Sequence, residues 1–159
     1  AKIQIIMAVT LDGFLPKQKE ELMQWINKDT RYGFPHWQKE ATFHICPLYG
    51  VIDLIDVAHK YDKNCIYQAI VHDEKSAEYV CGLFRYNLVN EIILYLLPLS
   101  YGKGFSLTAD FIFTNGSFAL AKHSLTAFAD LYIEKCNHSI NHKNYNYNLA
   151  ITNKYSSPF

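Results

Sequence analysis

Residues 84–104, FRYNLVNEIILYLLPLSYGKG, decide the fold. Just upstream and into this run, Ala77, Val80, Cys81 and Phe84 recur at steps of three and four, which places them on one face of a helix. Residues 92–97 are apolar without polar alternation, the pattern of a strand covered on both faces in an open α/β sheet. Pro98 has no amide hydrogen to give to a ladder, so pairing weakens there. Gly102 and Gly104 then permit a tight turn or a close approach of backbone to a ligand. Taken alone, the run is an ordinary helix–strand–turn unit.

Working outward, residues 2–9 read as a first strand, apolar enough to be central, followed by a loop with Asp12, Gly13 and Pro16. Residues 20–27 read as a short helix with acids in its first turn, where they favour the dipole. Residues 28–39 form a loop, in part helical. A second strand is expected at 41–46, a helix at 51–58 and a third strand at 65–71. Beyond the central run, 111–114 reads as a short strand, and 117–124 with 127–135 as an antiparallel pair closing the sheet. Residues 136–159, rich in Asn, His, Lys and Tyr, are an extension: an edge strand around 149–152 or a tail. One domain over 1–135 is therefore expected, without repeats or linkers.

With 159 residues, half of them hydrophobic and 15% aromatic, the chain can bury a core of its own. Fifteen basic residues balance fifteen acidic ones, which leaves nucleic-acid binding without electrostatic support and makes self-association, as a homodimer, easier. No apolar run is long enough to cross a bilayer, and the start, AKIQIIMAV, reads as a strand rather than a signal peptide. Cys46, Cys65, Cys81 and Cys136 are widely spaced and read as buried thiols in a reducing, cytoplasmic compartment. Cys136, His138 and His142 lack a fourth ligand and a CxxC partner, so no metal centre is expected. Phosphate-loop, nucleophile-elbow and G-x-G-x-x-G motifs are absent from the sequence.

Two blocks carry a resemblance. Residues 88–104, LVNEIILYLLPLSYGKG, resemble the Leu-Val-Asp-Glu … Pro-x-x-x-Gly-x-Gly block of the dihydrofolate-reductase-like superfamily, in particular the reductase domain of riboflavin biosynthesis, the deaminase-reductase C-terminal family. Residues 3–13, IQIIMAVTLDG, look like that family's first strand and its Ala-x-Ser-Leu-Asp-Gly loop, with Thr10 where serine is usual. Leu15-Pro16 is similar to the Gly-x-Leu-Pro step of folate reductases. The resemblance implies a three-layer α/β/α sandwich whose mixed, mainly parallel sheet has an antiparallel C-terminal end. It also implies an NADPH-dependent reductase acting on a small molecule, a pyrimidine or pterin. In riboflavin biosynthesis the substrate is a ribosylamino-pyrimidine phosphate, reduced to the ribityl product.

Asp12 stands at the carboxyl end of a central strand, where open α/β sheets place ligands, although Asp12-Gly13 also suits a plain turn. By resemblance Asp12 is the catalytic candidate and Thr10 a substrate contact. Glu21 and Trp25 share one side of the first helix and are further substrate candidates, against a solvated face with Trp25 in the core. The cofactor contacts implied are Ala8, Lys75, Ser76, Gly102 and Gly104. Two stretches depart from the family pattern. The loop His72-Asp73-Glu74-Lys75-Ser76 has no glycine pair to cradle a pyrophosphate, and Asp73 suits a helix N-cap there. Between Cys46 and Cys65 no arginine is available for a 2′-phosphate. These departures favour an alternative, a small-ligand or assembly module that has lost the dinucleotide.

Overall fold

The computed structural model describes residues 1–59, 64–107, 118–124 and 148–153, the last two stretches as backbone. In chain order the described elements are β1 (Lys2–Thr10), α1 (Glu21–Lys28), α2 (Phe34–Gln38), β2 (Phe43–His44), α3 (Val51–Ala58), β3 (Ile66–Ile70), α4 (Glu74–Arg85), β4 (Glu91–Leu97), β5 (Phe118–Ser124) and β6 (Asn148–Asn153). They build one sheet in the order β2-β3-β1-β4-β6-β5. The first four strands of that order run parallel. β6 pairs antiparallel with β4, and β5 antiparallel with β6. Residues 148–153 thus lie inside the sheet between β4 and β5. The strands expected at 111–114 and 127–135 lie outside the described residues.

Helices cover the sheet on both faces. Ile3, Ile5, Met7 and Val9 of β1 pack with Leu54 of α3 and with Ala77, Val80, Cys81, Leu83 and Phe84 of α4. Ile6 and Ala8 pack instead with Leu22, Met23 and Ile26 of α1 and Phe34 of α2. Period-two alternation along β1 therefore feeds two cores rather than one core and solvent, which is why the strand reads as continuously apolar.

α4 is the best-specified helix. Asp73 caps it: its carboxylate accepts from the Ser76 amide at 2.8 Å, while Ser76 Oγ accepts from the Asp73 amide at 3.0 Å, a reciprocal capping box. It ends where Asn87 takes φ 54°. The Asn87 amide then donates to Phe84 O and the Leu88 amide to Leu83 O, both at 3.0 Å, the paired bonds of a Schellman stop. Asn90 immediately locks the next strand to β1, with its amide on Ile3 O at 2.9 Å and its Oδ1 accepting from the Ile3 amide at 2.8 Å.

β2 is shorter than the expected 41–46. It has a neighbour on one side only, and Phe43 and His44 are both exposed, so burial does not extend it. Cys46 consequently falls in the turn after β2 and is exposed, unlike the buried Cys81; Cys65 is half-buried.

Two glycines test the packing with opposite signs. At Gly33, between α1 and α2, a Cβ would lie 2.2 Å from Ile26 O and 2.7 Å from Asp29 O, so Gly33→Ala forces backbone apart. At Gly82, inside α4, a Cβ meets nothing within 4 Å. Urea unfolding is expected to show Gly33→Ala destabilised by about 1–3 kcal/mol and Gly82→Ala stabilised by about 0.5–1 kcal/mol.

Candidate functional site

The connection leaving β1 crosses the α1/α2 face, whereas those leaving β2 and β3 cross the α3/α4 face. Adjacent strands β1 and β3 therefore send their chains to opposite sides, and a crevice opens at their carboxyl ends, the usual ligand position in such sheets. Two features frame it: a clasp over β1 and β4, and a groove beside β3.

Asp12 makes the clasp. Its Oδ1 accepts from Thr10 Oγ1 at 2.6 Å. Its Oδ2 accepts from the Gly102 amide at 2.7 Å, the Tyr101 amide at 2.9 Å and Ser100 Oγ at 3.1 Å. The hydrogen bond from Thr10, helped by those from the loop after β4, holds the carboxyl well below the usual carboxylate range. Gly102 sits at φ +72° and Gly104 at φ +146°, backbone states that favour glycine. Backbone bonds stitch the same two loops: Leu11 N to Leu99 O at 2.9 Å, Leu15 N to Phe105 O at 2.8 Å and Leu107 N to Gly13 O at 2.8 Å. Tyr101 closes the outer side, its hydroxyl donating to Glu20 Oε1 at 2.7 Å and accepting from the Lys17 amide at 3.1 Å.

Beside this clasp, a groove of about 270 Å³ is lined by Gln38, His44–Pro47, Gln68–Ile70, His72, Ser76 and Tyr79. It lies past the end of β2, where the edge of β3 is uncovered. None of its lining residues is Asp, Glu, Lys or Arg. Tyr79 donates its hydroxyl to Tyr49 O at 2.7 Å, and burial, with Cys46 and Tyr49 nearby, pushes its pKa up to about 12. Ser76 is committed to the cap of α4. Bonds from the Ser76 amide and hydroxyl hold Asp73 below the usual carboxylate range.

A row of polar side chains crosses the sheet beneath the groove. Gln4 stands in register with Gln68 on β3 and with Glu91 on β4. Lys2 Nζ meets Glu91 Oε2 at 2.9 Å, Gln4 Nε2 donates to Glu91 Oε1 at 2.5 Å, and Gln68 Nε2 donates to Gln4 Oε1 at 2.7 Å and Trp37 O at 2.9 Å. Gln68 Oε1 is buried and has no hydrogen-bond partner among the described residues.

The candidates from the sequence fall into separate places. Thr10, Asp12 and Gly102 meet in the clasp, and a Cβ on Gly104 would lie 3.6 Å from the Phe14 ring beside it. Ala8 is buried under α1. Glu21 is exposed in the first turn of α1, and Trp25 packs half-buried against the same core. Neither lines the groove, whereas Ser76 does; Lys75 is exposed beside it. Gln68, His44, Cys46, His72 and Tyr79 were not singled out as site residues. For Gln68 a signal existed: like Gln4, it interrupts an apolar strand.

No family model matches the chain, and no curated protein matches it. Among solved structures, a protein provisionally described as a riboflavin biosynthesis protein, from Shewanella sp. PV-4, superposes with a TM-score of 0.59 at 12% identity, over 97% of this chain and 99% of that one. Acinetobacter baumannii RibD gives a TM-score of 0.48 at 12% identity over 96% of this chain, which spans 57% of that protein's length. The first likeness shows the fold, a dihydrofolate-reductase-like α/β sandwich. Among the described residues, no helix is long and apolar enough to cross a membrane, and no group of three or more His, Cys, Asp or Glu is placed to hold a metal ion.

Because the Asp12 carboxyl titrates lower in the folded chain than its ordinary 3.8, it stabilises the fold above that value, and the contribution is lost as pH falls through the folded value. Asp12→Asn is expected to melt at lower temperature than the parent near neutral pH. The difference should shrink below about pH 4, where Asp12 of the unfolded chain takes up a proton that the clasp still excludes, and vanish only as pH falls through the folded value. Thermal unfolding followed across that range checks both parts.

Proposed function

We propose that this chain is a small-ligand-binding protein on a reductase fold, with its ligand seated in the groove between β2, β3 and the start of α4. The observation that carries this reading is the capping box at α4. Open α/β folds that bind nucleotides offer free helix-end amides to phosphate, and here the Asp73 carboxylate takes that position. Glu74 adds a second negative charge, Lys75 supplies one positive charge, and no lining residue carries a fixed cation. At an effective dielectric of about 20, a unit negative charge about 4 Å from another costs on the order of 4 kcal/mol. That is roughly a thousandfold in affinity. The residues present do not fit the pyrophosphate of NADPH at this helix end.

A second reading, an NADPH-dependent reductase of the riboflavin-biosynthesis type, draws its support from the fold likeness over 97% of the chain. In it, Asp12 would act by fixing Thr10 and the Gly102 loop, the part of the clasp nearest to any ligand above β1. Glu21 and Trp25 on α1 would face the substrate, and Ala8, Lys75, Ser76, Gly102 and Gly104 would border the cofactor. Reduction of a pyrimidine or pterin is the chemistry that this arrangement would serve.

NADPH fluorescence separates the readings. The full chain is expected to show no saturable change up to about 1 mM cofactor. Binding in the micromolar range would establish the reductase reading instead. Replacing both Asp73 and Glu74 by Gly is expected to raise NADPH affinity at least about tenfold, since it frees the helix end and removes two charges. An unchanged affinity would clear the capping loop of blame.

A further inference from the structure

Gln68, Ala69 and Ile70 are consecutive on β3, yet all three line the groove. Successive side chains of a strand point to opposite faces, so a cavity that meets three in a row runs along the strand's edge. The rest of the lining agrees. Ile45, Ala69 and Tyr79 belong with the α3/α4 face, whereas Ile70 packs toward α1 and α2, and Gln38 closes α2.

That edge is open at one residue. In a parallel ladder the N–H and C=O of one residue point to the same neighbour, and those of the next residue to the other. Cys65 O takes the Lys2 amide and the Val71 amide goes to Ile6 O, so the odd-numbered residues of β3 face β1. Ile66 O takes the Thr42 amide and Gln68 O the Ile45 amide, both at 2.8 Å, so the even-numbered ones face β2. Ile70 comes next. Two residues on from the Ile45–Gln68 bond, the donor to the Ile70 carbonyl would be Pro47, which has no amide hydrogen. Among the described residues, no bond between these two segments follows the one from Ile45 to Gln68. The chain has already turned away, with the Tyr49 amide on Cys46 O at 2.8 Å. The N–H and C=O of the half-buried Ile70 therefore face the groove with the ladder unfinished.

With the groove as the ligand site proposed above, on which this rests, we infer that its ligand is a short extended peptide. One residue of that peptide exchanges both backbone hydrogen bonds with Ile70 and so completes the edge that β2 leaves open. Unpaired strand edges take up extended backbone in this way, main-chain bonds giving affinity and side-chain pockets choosing among sequences. A single residue with its donor and acceptor on one side meets both needs of Ile70, as in the hydrogen-bonded pair of an antiparallel ladder. Charge complementarity makes its side chain uncharged, since no Asp, Glu, Lys or Arg lines the groove. Ile45, Ala69 and the Tyr79 ring offer that side chain an apolar wall. Volume limits the length: about 270 Å³ lies just under the range of small-molecule sites, ~300–1,000 Å³, which holds about one or two residues rather than a full strand.

The test uses N-acetylvaline N-methylamide and its ester analogue, in which oxygen replaces the valine N–H, with the full chain followed by NMR. In the free chain the Ile70 amide is expected to exchange with solvent at least about tenfold faster than that of Val71, which is bonded to Ile6 O. The amide ligand should move the Ile70 signal saturably at millimolar concentration, slow its exchange, and bind at least about tenfold more tightly than the ester. Ile70→Pro, which removes the N–H that faces the groove, should weaken the amide ligand by a similar factor. If that variant fails to fold, the two ligands on the parent chain decide alone. Equal binding of the amide and the ester, or shifts at Tyr79 and His44 that leave Ile70 unmoved, overturn the pairing while leaving the groove as the ligand site. No saturable shift up to about 100 mM overturns the peptide as the ligand class. Exchange of Ile70 in the free chain as slow as that of Val71 would mean a covered edge, and the groove itself would fall with it.

Discussion

β1 has a helix layer on each face and a strand on each edge, so its side chains have almost no route to water. The buried polar row of the sheet is arranged around that constraint. A lone Gln4 in the strand would be a buried amide without partners, at a cost of about 1–3 kcal/mol. The fold answers by placing Gln68 and Glu91 in register on either side of it and by bringing Lys2 to the carboxylate. The relay is satisfied at every step except the last. That last residue, Gln68, stands in register with His44 of the two-residue strand β2.

The same constraint moves chemistry to the strand's carboxyl end. There the loops after β1 and β4 close on each other through Asp12, with Thr10 and Gly102 as its shortest contacts. Such a carboxylate has little left to offer a ligand: four donors already occupy it. Its value lies in fixing the shape of the rim, and the glycine conformations at 102 and 104 are what let the second loop come close enough. The open side of the crevice is therefore the β3 side, where the helix end is self-capped and the lining uncharged.

What the sequence disclosed follows from which interactions are local. The apolar face of α4 and the unbroken strand β4 were legible because period alone reports them, and Asp73 was legible as a cap because its partner, Ser76, lies three residues away. The helix stop was harder, since Asn87 rather than glycine takes the left-handed turn. β2 came out shorter than expected because an edge strand lacks the burial that an apolar run suggests. For Asp12, position was readable and role was not: its partners in the second loop lie 88 to 90 residues on. Gln68 was the least accessible, because an orphan is defined by what fails to approach it in three dimensions.

An unsatisfied carbonyl is costly to keep, and the arrangement around Gln68 shows that it is not an accident of loose packing. Loose packing would let the amide rotate or admit a neighbour, yet Gln4 and Trp37 hold the donor end at 2.7 and 2.9 Å. A methionine at this position would fill similar volume without burying an acceptor, and the sheet would lose only a bond that a matching apolar residue at position 4 makes unnecessary. The fold thus carries a polar row where an apolar one would be at least as stable, and the row ends on an acceptor without a hydrogen-bond partner among the described residues. Stability alone gives no reason for that choice.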